Sequence, residues 1–229
     1  MLRFSKFVKI THKKNSYETI YMRFLLRPCA LILCWILLRF PISANGITLI
    51  NIMLLTSLIP LSVIQSSVTL MFLLFNLSAL LDCMDGIIAR ARYVLDRKKS
   101  NNGEAIDAAS GYIFNMVFWL YVFSVVHKSN IDDMFYILVV LTACLSTLPR
   151  LIMKKAALKS EVENRNHNSI LHKLDTELSF TGFLLHFFVI LNANELLEVF
   201  VIIYLILYCV QLVYSLVKIF GLNLSIKSG

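Results

Sequence analysis

Six apolar runs constrain this chain more than any other feature. Read with a window of about 19 residues, they are Ile47–Ile64, Ser67–Ala89, Ala105–Val126, Met134–Leu148, Leu178–Asn192 and Leu196–Val217. In hydrocarbon a chain must satisfy its own backbone hydrogen bonds, and an α-helix does so within each run. The composition agrees, with 58% hydrophobic residues, 16% charged and a mean hydropathy of +0.74, far more apolar than a soluble domain of 229 residues needs. The expected fold is therefore an all-α integral membrane protein with six transmembrane helices. A seventh apolar stretch, Phe24–Leu38, has 15 residues and carries Arg27-Pro28 near its start. That is short of the roughly 20 residues of a crossing, so it is placed at the membrane interface as an amphipathic helix.

Residues 1–46 thus form an N-terminal segment and 47–229 the membrane domain. The polar lead-in of 23 residues is too long for a signal-peptide n-region, and Ile42-Ser43-Ala44 is a poor cleavage site. The cysteines Cys29, Cys34, Cys83, Cys144 and Cys209 fall mostly in apolar runs without paired metal spacing and read as small hydrophobes.

Loop charge sets the expected orientation. With six crossings starting from the cytoplasm, segments 1–46, 90–104, 149–177 and the C-terminal end hold every Lys and Arg except Lys128. Cytoplasmic loops collect such residues, so both termini are expected there. The net charge of +8 then faces anionic headgroups or substrates. No nucleic-acid module is recognisable, and nucleic acid is not an expected partner.

Against this apolar background stands DCMDGIIAR, residues 82–90, at the cytoplasmic end of the second run. Asp82 and Asp85 share one helical face, with Cβ atoms about 5–6 Å apart. Two carboxylates so close repel unless a cation lies between them, and oxygen-only ligands suit Mg²⁺ or Mn²⁺ rather than zinc. Gly86 removes a side chain where a ligand can press on the helix. Arg90, about one turn further, supplies a forked donor for phosphate oxygens. A lone aspartate in this place is most often where a helix meets water; the pattern of several such residues, with Gly103 and Asp107 on the next run, points instead to phosphoryl chemistry.

At Asp82, Asp85, Gly86, Ala89, Arg90, Gly103 and Asp107 the sequence resembles the CDP-alcohol phosphatidyltransferase family, whose signature is Asp-x-x-Asp-Gly-x-x-Ala-Arg, a spacer, then Gly-x-x-x-Asp-x-x-x-Asp. Ala44-Asn45-Gly46-Ile47-Thr48 stands where relatives often show Pro-Asn-x-x-Thr. The resemblance implies metal ligands at Asp82, Asp85 and Asp107, with Asp85 and Asp107 at the reacting centre. It implies contacts to the CDP moiety at Gly86, Ala89, Arg90 and Gly103. The implied reaction passes a phosphoryl-alcohol group from a CDP-alcohol donor to the hydroxyl of a lipid or small polar alcohol, in a membrane, with release of CMP. Homodimers are common among relatives.

The chain departs from the signature in two ways. The spacer between Arg90 and Gly103 has twelve residues, more than is usual, and loop-closure entropy makes that tolerable. The fourth aspartate, a metal ligand and the favoured general base in relatives, is replaced by Gly111. A positioned base is worth roughly 10²–10⁴-fold, so its loss slows such a site without abolishing it. Glu104, near the start of the third run, and Asp96, in the spacer, are the candidate substitutes.

Arg150 and Lys154, at the end of the fourth run, are candidates for an acceptor phosphate or headgroup, although anchoring at the cytoplasmic face explains them equally. His186, Asn51, Asn76 and Asn115 read as bonds between helices. A weak CDP-alcohol-binding relative and an ion-coupled transporter are the competing functions. Transport carboxylates lie near the midplane between pseudo-repeats, whereas these sit at a helix end.

Overall fold

The computed structural model describes residues 4–11, 19–64, 67–96, 103–129, 133–157, 184–193 and 195–227. The side chains of 96, 103–105, 107, 133, 149–157, 193 and 218–227 fall outside that description. The elements described are all helical: α1 (Phe4–Thr11), a π-helical turn at Met22–Leu26 running into α2 (Arg27–Leu37), α3 (Ala44–Ile64), α4 (Val68–Asp96), α5 (Gly103–Lys128), α6 (Asp133–Ala157), α7 (Leu184–Ala193) and α8 (Leu197–Lys227).

Among the described residues four helical segments are long and apolar enough to cross a membrane: Ala44–Ile64, Val68–Leu95, Ala108–Lys128 and Leu197–Val217. Met134–Leu148 is a shorter apolar stretch within α6. Of the expected fifth crossing, Leu178–Asn192, residues 178–183 lie outside the described residues and α7 begins at Leu184.

Local chemistry explains where the central helices begin. Ser43 precedes α3, and its Oγ accepts the Gly46 N–H at 3.1 Å. Ser67 does the same for α4 through the Leu70 N–H at 3.4 Å. Both are hydroxyl N-caps that satisfy an otherwise orphaned donor. Pro28 lies in the first turn of α2, directly after the π-turn, where its missing N–H interrupts the regular helical ladder.

One difference from expectation concerns the end of α4. The helix does not stop where the apolar run stops at Ala89 but continues to Asp96, so Arg90 and Arg92 stand on a helix and Asp96 is its last residue rather than part of a loop. Hydropathy marks where a helix leaves lipid, not where its hydrogen bonds end. Arg92 helps to hold this extension, donating from Nε to the Ile42 carbonyl at 2.9 Å and from Nη2 to that of Phe40 at 3.0 Å.

Two apolar clusters organise the packing. The larger, rich in aromatic rings, joins Leu55 and Leu58 of α3, Met71 and Phe75 of α4, Phe114 to Val126 of α5, Val139 of α6, Leu184 and Phe188 of α7, and Phe200 and Tyr204 of α8. The smaller unites Phe7 of α1, Ala30 and Cys34 of α2, Ile47 of α3 and Met84, Ile87, Ile88 and Ala91 of α4. Along α3 and α4 the clusters occupy different stretches, with Thr48 and Asn51 of α3 and Ser78 and Asp82 of α4 between them.

α2 meets α4 at several levels. Tyr21, just before the π-turn, hydrogen-bonds Asn76, the Cys34 thiol approaches the Met84 carbonyl at 3.5 Å, and the end of the α2–α3 connection reaches Arg92. Tyr21 also stacks edge-on against His186 of α7, with ring centroids 4.3 Å apart. The N-terminal helix therefore leans along α4, from the level of Asn76 to that of Arg92.

Candidate functional site

In α4, Ser78, Asp82 and Asp85 recur at i, i+4 and i+7 and form a polar stripe on an otherwise apolar helix. Asp85 is 6% exposed and Asp82 is half-buried. A carboxylate so far from water needs donors or a cation beside it. One donor is Thr48 of α3, whose hydroxyl gives a 2.6 Å hydrogen bond to Asp85 Oδ2.

A second polar group ties three helices together. Asn51, one turn after Thr48, donates from Nδ2 to Ser110 Oγ of α5 at 3.0 Å and accepts at Oδ1 from the Ser78 hydroxyl of α4 at 2.7 Å. All three side chains are buried. Bonds of this kind between helices replace water that lipid does not supply, and here they bring α5 to the level of the α4 carboxylates. Phe75 and Phe114, with ring centroids 5.2 Å apart, continue the α4–α5 contact.

Asp107 stands on the α5 backbone one turn before Ser110; its side chain lies outside the described residues, as do those of Glu104, Arg150 and Lys154. Gly103 is the first residue of α5. Ala89 is exposed. A Cβ placed on Gly111 would meet no described atom within 4 Å, so the position of the missing aspartate opens on space.

Arg90 is held more tightly than its motif position suggests. Its Nε donates to the Thr11 carbonyl, the last residue of α1, at 2.9 Å. Its Nη1 and Nη2 lie 3.4 and 3.8 Å from where a Gly86 Cβ would be. The guanidinium thus lies alongside Gly86, at a distance where an added Cβ would make ordinary van der Waals contact.

Cys34 is packed between these charges. Burial pushes its thiol up to about 12, Cys83 and Asp85 add to the rise, and Arg90 opposes it. A thiol kept neutral in this way is a packing residue, not a nucleophile or ligand.

The donor set fits a hard divalent cation: two carboxylates a turn apart, one of them buried and oriented by a hydroxyl, while the nearby Cys34 thiol is kept neutral by burial. Among the described residues no three His, Cys, Asp or Glu side chains converge; the expected triad includes Asp107. The sequence marks Thr48 only as part of the Ala44–Thr48 stretch, without a partner, and does not mark Ser78, Ser110 or Thr11 at all. The first three were detectable as hydroxyls in register with Asp82, Asp85 and Asp107 on neighbouring apolar helices. The Thr11 carbonyl carries no sequence signal at all.

No curated protein matches the chain significantly. The family model for CDP-alcohol phosphatidyltransferase matches residues 41–217, from just before α3 into α8, and takes in the whole polar layer. The family implies phosphotransfer from a CDP-alcohol in phospholipid synthesis. With that match over most of its length, the chain belongs to the CDP-alcohol phosphatidyltransferase family.

Proposed function

We propose that the protein is a membrane phosphotransferase that moves a phosphoryl-alcohol or phosphatidyl group from a CDP-alcohol to an acceptor hydroxyl. The acceptor oxygen bonds to the phosphorus that bears the alcohol, the bond from that phosphorus to the bridging oxygen breaks, and CMP leaves with that oxygen. The observation that carries this reading is the buried Asp85, held by Thr48 beside Asp82, Gly86 and Arg90.

Asp82, Asp85 and Asp107 would hold Mg²⁺ or Mn²⁺, which when bound offsets the charge developing on the phosphate oxygens. Thr48 orients Asp85. Arg90, with Gly86 and Ala89 on the same helix and Gly103 at the start of α5, receives the CDP moiety. Gly111 offers no carboxylate, so the proton of the acceptor hydroxyl passes to Asp107, one turn earlier on the same face. Arg150 and Lys154 bind the acceptor or its headgroup.

In this reading the chain crosses the membrane six times. The four long apolar helices are joined by Met134–Leu148 and Leu178–Asn192; α1 lies on the side of the active site, and α2 packs beside α4 with Tyr21 at the level of Asn76. The Lys and Arg distribution puts that side in the cytoplasm.

The test is to incubate the purified protein and Mg²⁺ or Mn²⁺ with a panel of CDP-alcohols and acceptors and measure CMP. One donor and acceptor pair is expected to release CMP in a metal-dependent way. Asp85→Asn is expected to abolish the release while eluting as a folded protein in detergent. Full activity of that variant would remove Asp85 from the site.

A further inference from the structure

We propose that α1 is a positioning element for the donor site: the Thr11 carbonyl, placed by the buried Phe7, holds Arg90 so that its two terminal nitrogens lie beside Gly86. The inference rests on the donor-binding role proposed above for Arg90.

α1 lies outside the segment shared with the family, which begins at residue 41. It has eight residues, too few for a helix to persist in water by itself, so its order comes from docking. Phe7 supplies the docking, being fully buried with Ile87, Ile88 and Ala91 of α4 and Cys34 of α2. Phe4 adds an edge-on contact with Trp35 of α2, with ring centroids 5.7 Å apart.

The end of α1 is arranged around Arg90. The last four carbonyls of a helix lack partners within it. Here the last of them, the carbonyl of Thr11, accepts from Arg90 Nε at 2.9 Å, while the Thr11 hydroxyl folds back on the helix to the Phe7 carbonyl at 2.9 Å. The negative end of a helix dipole favours a cation at that place. A guanidinium committed through Nε turns its Nη1 and Nη2 edge elsewhere, and that edge is a planar fork matched to two phosphate oxygens. In this structure the edge lies over Gly86, the residue directly after Asp85. A long side chain on an otherwise exposed helix end is thereby restricted to one orientation next to the carboxylate site. Lysine, with its three donors on a single nitrogen, lacks this planar fork and the separate Nε that anchors it.

The test is the affinity of the full chain in detergent for CMP, measured by equilibrium dialysis with Mn²⁺ present. Phe7→Ala is expected to weaken CMP binding about tenfold, the size typical for loss of a supporting partner, and Phe7→Leu to stay within about twofold of wild type. Arg90→Ala is expected to weaken binding at least as much, and Phe7→Ala is expected to add nothing in the Arg90→Ala background, because the helix acts through that side chain. Removal of residues 2–11 repeats the comparison should Phe7→Ala fail to fold.

Additive losses in the double variant would make α1 merely structural and overturn the proposal. So would unchanged binding in Phe7→Ala, and tighter binding would make α1 a restraint on the site instead. Wild-type protein that does not bind CMP would bring down the donor-site reading itself, whereas wild-type binding that is indifferent to α1 would bring down this inference alone.

Discussion

Thr48 Oγ1 lies 2.6 Å from Asp85 Oδ2, joining the start of α3 to the second half of α4 near the boundary between two apolar clusters. The contact makes a threonine in an apolar helix the orienting partner of a buried carboxylate. Thr48→Val keeps the shape and removes the donor, leaving a buried acceptor without its hydrogen bond at a cost of about 1–3 kcal/mol. It is expected to lower CMP release by about 10–100-fold, as losing the partner of a metal ligand typically does, and to raise the Mg²⁺ concentration needed for half-maximal rate. Thr48→Ser is expected to keep most of the rate. Steady-state CMP release in a Mg²⁺ titration distinguishes the two variants, and equal rates would free Asp85 from this partner.

Gly111 faces space that can take a side chain. Gly111→Asp is therefore expected to leave the fold intact and, being one turn beyond Asp107, to tighten Mn²⁺ binding and raise the rate of CMP release. Calorimetric titration of Mn²⁺ into the variant and wild type measures the first effect. A lower rate with unchanged metal affinity would assign the space to the donor or the acceptor. No change in either would take position 111 out of the site.

The proposed orientation predicts that a cysteine placed within residues 97–102 of an otherwise cysteine-free protein reacts with a membrane-impermeant maleimide only after cells are opened. Labelling in intact cells would move the active site to the other side of the membrane.

Cys34 offers a test of packing at the site. Its thiol is raised from 9.0 to about 12, mainly by burial. A raised acid group contributes stability that is fully present below its unfolded value of 9.0 and is lost as pH rises toward the folded value. In a variant retaining only Cys34, labelling by N-ethylmaleimide at pH 8 is expected to be negligible in the native protein and complete after denaturation. Rapid native labelling would mean that α1, α2 and α4 do not enclose the thiol.

The apolar runs, the carboxylates three residues apart and the Gly103–Asp107 pair are local patterns, because hydropathy and helical period act over a few turns of one chain. From them alone follow the helical membrane architecture, the family, the residues of the signature and the missing carboxylate at 111. The sequence also marks Asn51 and Asn115 as bonds between helices, since an amide in lipid must find a partner; the structure gives them Ser78 and Ser110, and Ser146. The identity of each partner belongs to the tertiary structure. Thr48 reaches Asp85 across 37 positions, and Asn51 reaches Ser110 across 59, by helix packing that no local spacing encodes. Arg90 shows the limit most clearly. Its position in the signature is legible, but its Nε is held by a backbone carbonyl 79 residues away, and a carbonyl is present at every residue of every sequence. Only the folded chain decides which carbonyl comes within reach, because docking of Phe7, rather than any property of Thr11 alone, brings it there.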